Sequence, residues 1–212
     1  MSNLVRIVLP EATLEGDLQL PPSARGLVLF AHGSGSSRHS PRNRFVAGQL
    51  QSRGLGTLLM DLLTAEEEAA DDRTGHLRFD IALLADRLGG AIDWLATNVQ
   101  TQKLEIGLFG ASTGGGAALV AAAKRPERIR AVVSRGGRPD LAGEALGEVK
   151  AATLLIVGGE DGAVIGMNRD AFKQMHCERR VEVIPGASHL FEEPGTLEEV
   201  ARLAGDWFEK YL

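Results

Sequence analysis

Six short apolar runs constrain this chain more than any other feature: Gly26–Ala31, Leu55–Met60, Ile106–Phe109, Ile129–Ser134, Leu154–Val157 and Val181–Ile184. Continuous rather than alternating hydrophobicity is what a strand needs when both faces of its sheet are covered. Between the runs lie stretches of helical character: Asn43–Arg53, the spacing of Ile81, Leu84, Leu88 and Ile92, the alanine-rich segment from Ser112 to about Lys124, a short piece near Leu141–Val149, and a C-terminal pattern of Leu197, Val200, Ala204, Trp207, Phe208 and Tyr211. Strand and helix in alternation predict a mostly parallel sheet wound on both faces. Two further strands, Val5–Leu9 and Leu14–Leu20, are parted by Pro10 and Glu11 and read as an N-terminal hairpin, which brings the expected count to about eight. The acidic stretch Thr64–Arg73 is expected to be a mobile surface segment. No repeat, linker or break in composition divides the chain, so one domain is expected over residues 1–212.

Composition narrows the function classes. A chain of 212 residues that is 44% hydrophobic can bury a core without disulfides or structural metal. Its formal net charge of −5 argues against general nucleic-acid binding. Cys177 is the only cysteine, so no intramolecular disulfide is expected, and a reducing compartment is the simplest setting. Residues 1–15 show no basic region followed by an apolar stretch, and no window approaches the length of a membrane span, so the expectation is a soluble, cytoplasmic protein.

The chemistry is concentrated at the ends of the apolar runs. Ile106–Phe109 empties into Gly110-Ala111-Ser112-Thr113-Gly114, a G-x-S-x-G pentapeptide between strand and helix. A serine in that context projects as a nucleophile from a strained turn, and the glycines let neighbouring backbone pass; the same serine could instead serve only as a helix N-cap. Leu154–Val157 empties into Gly158-Gly159-Glu160-Asp161, and Val181–Ile184 into Pro185-Gly186-Ala187-Ser188-His189. An acid and a histidine therefore stand past the carboxyl ends of successive strands, where open α/β sheets assemble their sites. Asp161 is expected to orient His189, with Glu160 and Asp140 as competing acids, and Thr113 to supply one backbone N–H to an oxyanion. Cys177, beside His176, reads as a partly buried spectator. Gly114–Gly116 lack the lysine of a phosphate loop, no spaced histidine or cysteine set supports a metal, and no cofactor is required.

Taken together, HGSGSS at His32–Ser37, GASTGG at Gly110–Gly115, GGED at Gly158–Asp161 and PGASHLFEEPG at Pro185–Gly195 resemble the small dienelactone-hydrolase-like branch of the α/β-hydrolases, over nearly the whole chain. The order Ser, Asp, His agrees with that fold. The resemblance implies an α/β-hydrolase without a cap domain, and a second oxyanion donor at the amide of Ser34, with Gly33 the nearest rival and His32 a brace for the loop. Dienelactone hydrolases proper carry cysteine at the elbow. Ser112 in its place shifts the expectation to a serine hydrolase acting on a small-molecule carboxylic ester, thioester or lactone, with acyl transfer or a non-catalytic binding role as alternatives. Finally, Arg38, His39 and Arg42 follow one strand and Arg135 and Arg138 another, so Arg38, Arg135 and Arg138 are candidates for a basic rim that binds substrate carboxylate. The oligomeric state is open.

Overall fold

The apolar runs lie in one eight-stranded sheet of order β1-β2-β4-β3-β5-β6-β7-β8 in the computed structural model, which describes residues 3–212. Met1 and Ser2, the start of the expected domain, lie outside the described residues. The strands are β1 (Asn3–Val8), β2 (Thr13–Gln19), β3 (Gly26–Ala31), β4 (Gly56–Met60), β5 (Glu105–Ala111), β6 (Ile129–Arg135), β7 (Ala152–Gly158) and β8 (Arg179–Ile184). β1 and β2 form the expected hairpin, β2 meets β4 antiparallel, and every other pairing is parallel. The helices are α1 (Pro41–Ser52), α2 (Ala65–Thr74), α3 (Ile81–Thr97), α4 (Thr113–Lys124), α5 (Gly162–Gln174) and α6 (Thr196–Tyr211).

Side chains of β3 alternate between two cores, as the period of two demands. Leu27, Leu29 and Ala31 join Leu58, Leu108 and residues of α3 and α4, such as Leu88 and Leu119, on one face. Val28 and Phe30 join Phe109, Val133, Leu50 of α1 and Phe208 of α6 on the other. Burial on both sides explains why these runs lack polar alternation. Gly107 allows α6 to approach: a Cβ there would stand 2.6 Å from Phe208 Cε1.

Two local expectations are corrected. Thr64–Arg73 is not irregular but forms α2, because Thr64 and Glu67 close a capping box and Gly75 ends the helix at φ 66°. The piece near Leu141–Val149 is a run of 3₁₀ turns over Pro139–Glu148, interrupted at Gly143, where φ is 52°.

Register brings the site together. Ala31 pairs with Gly110, Ala111 with Arg135, and Gly158 with Ile184, so the carboxyl ends of five parallel strands, β3, β5, β6, β7 and β8, open at one edge.

Candidate active site

Ser112 occupies the turn between β5 and α4 with φ 50° and ψ −122°, a region that a residue with a Cβ enters at a cost of about 1–3 kcal/mol. Close packing holds it there. A Cβ at Gly110 would stand 2.5 Å from Gly115 Cα, and one at Gly114 would stand 2.3 Å from the carbonyl oxygen of Ala31, so both flanking glycines have a steric role. Backbone bonds secure the turn: Ser112 N–H donates to the Arg135 carbonyl (3.3 Å), and the Ser112 carbonyl accepts from Gly115 (2.9 Å) and Arg138 (3.0 Å). Ser112 makes no side-chain capping bond, so its hydroxyl is not spent on α4.

His189, in the loop after β8, sets Nδ1 2.6 Å from Asp161 Oδ2, just past β7. The imidazole is about two-fifths exposed and the carboxylate 15% exposed, so one edge of the ring faces solvent while its partner is sheltered. Asp140 is engaged elsewhere, taking two bonds from Arg138 at 2.8 and 2.7 Å. Two features of the histidine loop escaped the sequence reading. Glu193 accepts the Ser188 N–H at 3.0 Å, which holds its carboxyl below the usual range, and buried Phe191 adopts φ 56°. Neither carries a sequence signal, since an exposed-looking glutamate and a loop phenylalanine are commonplace.

Ser112, His189 and Arg135 line one cleft together with Gly33, Ser34 and the start of α1. A neighbouring cleft of about 690 Å³ shares Gly33, Ser34 and Ser36 and runs past Thr113 to Asp71 and Arg78. The loop 33–36 thus divides two hollows. His32 braces it as expected: Nδ1–H donates to the Gly33 carbonyl (2.9 Å) while Nε2 accepts Leu62 N–H (3.2 Å). Burial keeps that imidazole neutral by lowering its pKa. The Ser34 amide, expected as the second oxyanion donor, donates to Thr113 Oγ1 at 2.9 Å. Gly33 is the residue of this loop that packs on the nucleophile; a Cβ there would stand 3.2 Å from Ser112 Cβ.

The basic rim is also revised. Arg38 bonds Asp61 and, at 2.7 Å, Glu15, and Arg138 is held by Asp140, so both tie loops together. Arg135 differs, being buried with no carboxylate beside it among the described residues. Cys177 is a half-buried thiol whose pKa burial raises, in agreement with a spectator. Among the described residues no group of three or more His, Cys, Asp and Glu could hold a metal, and no helix is long and apolar enough to cross a membrane.

With this geometry in place, the sequence model of the dienelactone hydrolase family matches residues 21–211. The chain belongs to the dienelactone hydrolase family. Among solved members, the dienelactone hydrolase of Anabaena variabilis is 64% identical, superposes with a TM-score of 0.99, and is matched over 100% of this chain and 98% of its own. Est1E of Butyrivibrio proteoclasticus shares the fold at a TM-score of 0.80 with 17% identity, over 98% of each chain. A Mycobacterium tuberculosis protein named "Putative phosphoribosyl transferase" is 56% identical over 208 residues, which are 98% of this chain and 46% of that protein. The chain therefore spans about half the length of the curated relatives it matches.

Proposed function

We propose that this family member is a serine hydrolase that cleaves a carboxylic ester, thioester or lactone through an acyl-enzyme on Ser112. One observation carries the reading: a strained serine free of capping duty shares a cleft with a histidine whose far nitrogen is held by a carboxylate at 2.6 Å. Asp161 accepts a hydrogen bond from His189 Nδ1–H, which keeps the proton on Nδ1 and leaves Nε2 as the basic atom. Nε2 removes the Ser112 proton as Oγ attacks the carbonyl carbon, and returns it to the departing alcohol or thiol. Water then repeats the attack on the acyl group, giving the acid and free Ser112. The developing oxyanion takes Thr113 N–H, an unpaired first-turn amide of α4, and an amide of loop 33–34. Gly33, which packs on Ser112, is the proposed source of that second N–H. Ser34 N–H serves only if the Thr113 hydroxyl releases it.

Phosphoribosyl transfer is named for a relative more than twice as long, and the stretch it shares here spans the region of the hydrolase family match. The family and the strained serine favour hydrolysis for this chain. A fluorophosphonate probe tests the reading: one covalent adduct by intact mass, located on Ser112 and absent from Ser112→Ala, is expected. An unlabelled, folded wild-type protein would overturn it.

A further inference from the structure

β8 closes one end of the sheet, and its outer edge has the backbone and the charges to pair with itself. On its inner side it follows β7 in unbroken parallel register from Thr153↔Arg179 to Gly158↔Ile184. Thr153 N–H donates to the Glu178 carbonyl and Gly159 N–H to the Ile184 carbonyl, both at 2.8 Å, so the even-numbered residues here turn their backbone groups towards β7. Alternation along the strand then sends the N–H and C=O groups of Arg179, Val181 and Val183 outward. No backbone hydrogen bond among the described residues reaches them.

Edge strands are ordinarily guarded by a proline, a bulge or charges that repel a second copy. β8 reads Arg-Arg-Val-Glu-Val-Ile, with no proline and no shift of register. Its charges are self-complementary. Arg180 and Glu182 lie on the face towards α6, where they pair with each other across Val181 while Arg180 stays 63% exposed. An antiparallel copy related by a two-fold axis normal to the sheet must set one residue opposite itself. Centring on Val181 sets Arg179 opposite Val183 of the partner subunit, so all the outward N–H and C=O groups meet counterparts. Arg180 then stands opposite Glu182 of the partner subunit in a non-hydrogen-bonded pair, where Cα atoms approach to about 4.5 Å. The four charges alternate in sign around a square, each arginine between two carboxylates. Centring one residue later sets Glu182 against its own copy, and one earlier sets Arg180 against its own copy and shortens the overlap. β1, at the other end of the sheet, carries Arg6 as its single charge and has no such match.

We propose that the outer edge of β8 is the interface of a homodimer, in which a second copy of this chain continues the sheet antiparallel about Val181. The two candidate active sites then open towards opposite ends of the strands, and neither borrows a residue from the other protomer.

Sedimentation velocity on a dilution series from near-millimolar to submicromolar protein tests it. Wild type should sediment as a dimer that dissociates on dilution. Arg180→Glu and Glu182→Arg each bring like charges together and should each raise Kd by about 10- to 100-fold. Mixed in equal amounts, these two variants regain opposite charges at both crossings and should recover the dimer; Arg180→Glu/Glu182→Arg should dimerise by itself. Val181→Pro removes an outward N–H without touching the β7 ladder, and should leave a monomer with the wild-type circular dichroism spectrum. A wild type that is monomeric throughout the series overturns the proposal. So does a dimer that survives Val181→Pro or is indifferent to both charge reversals, and so do single charge variants that fail to recover on mixing.

Discussion

At the scale of single residues, the proposed mechanism separates groups that would touch substrate from groups that would aim them. Ser112→Ala and His189→Ala are each expected to lower kcat by on the order of 10⁴–10⁶ with the fold intact by circular dichroism. Because the two act as one unit, the double variant should be scarcely worse than either; strictly additive losses count against the proposed mechanism. The acids can be told apart in the same assay. Asp161→Asn should reduce kcat by roughly 10⁴, since an amide beside Nδ1 favours the wrong tautomer of His189. Asp140→Asn breaks only the pair with Arg138 and should leave turnover within a small factor of wild type. A larger loss in folded Asp140→Asn than in Asp161→Asn would reverse the assignment. That Asp161, Ser112 and His189 would lie near one another was legible in the sequence because each closes an apolar run; the structure puts His189 against Asp161 and lines one cleft with Ser112 and His189. The Thr113 hydroxyl was not, because its bond to Ser34 crosses 79 positions and no local pattern encodes it.

Elements turn those residues into a site by approaching closely. Gly114 is the plainest case: a methyl there meets the Ala31 and His32 carbonyl oxygens at 2.3 and 2.5 Å, and these belong to backbone that cannot swing away. Gly114→Ala should cost on the order of 3 kcal/mol in denaturant unfolding and depress kcat as β3 and α4 are forced apart. Near-native stability would show that the elbow has slack. Helix α2 teaches a different lesson. Its acidic composition resembles a solvated strip, yet Thr64 and Glu67 cap each other's ends, and Asp71, 1% exposed, accepts Leu77 N–H at 2.6 Å and bonds Arg78. Capping chemistry outweighs the absence of an apolar stripe. Thr64→Ala should lower stability by about 1 kcal/mol in denaturant unfolding, and an unchanged midpoint would show that the capping box is idle.

For the molecule as a whole, the site is a local drain on stability. Arg135→Met removes a desolvated charge and should raise stability by on the order of 1 kcal/mol in thermal melts. A clear fall in melting temperature would mean that the guanidinium is a structural brace. His32 couples the fold to pH in a definite sense. Burial lowers its folded pKa below the ordinary 6.5, so the unfolded chain takes up the proton more readily. Its contribution is complete above the unfolded value and is lost as pH falls through the folded one. Between about pH 7 and pH 5 wild type should therefore lose melting temperature faster than His32→Gln, and parallel slopes would exclude the effect.

Hydrophobic patterning determined the layered architecture and the edge at which the candidate site lies, because burial on both faces of the sheet leaves its mark in the central strands β3 to β7. Chain order and the elbow pentapeptide determined which side chains face one another. Tertiary structure alone decided which arginine lacks a partner. Arg38, Arg135 and Arg138 all follow strand ends in sequence, but Arg38 finds Asp61 and Glu15, Arg138 finds Asp140, and Arg135 turns inward to Asn43 and Phe191. Whether a charge is neutralised depends on groups within a few ångströms in space, and those come from β2, β4, α1 and the β8–α6 loop, which sequence spacing does not relate to one another.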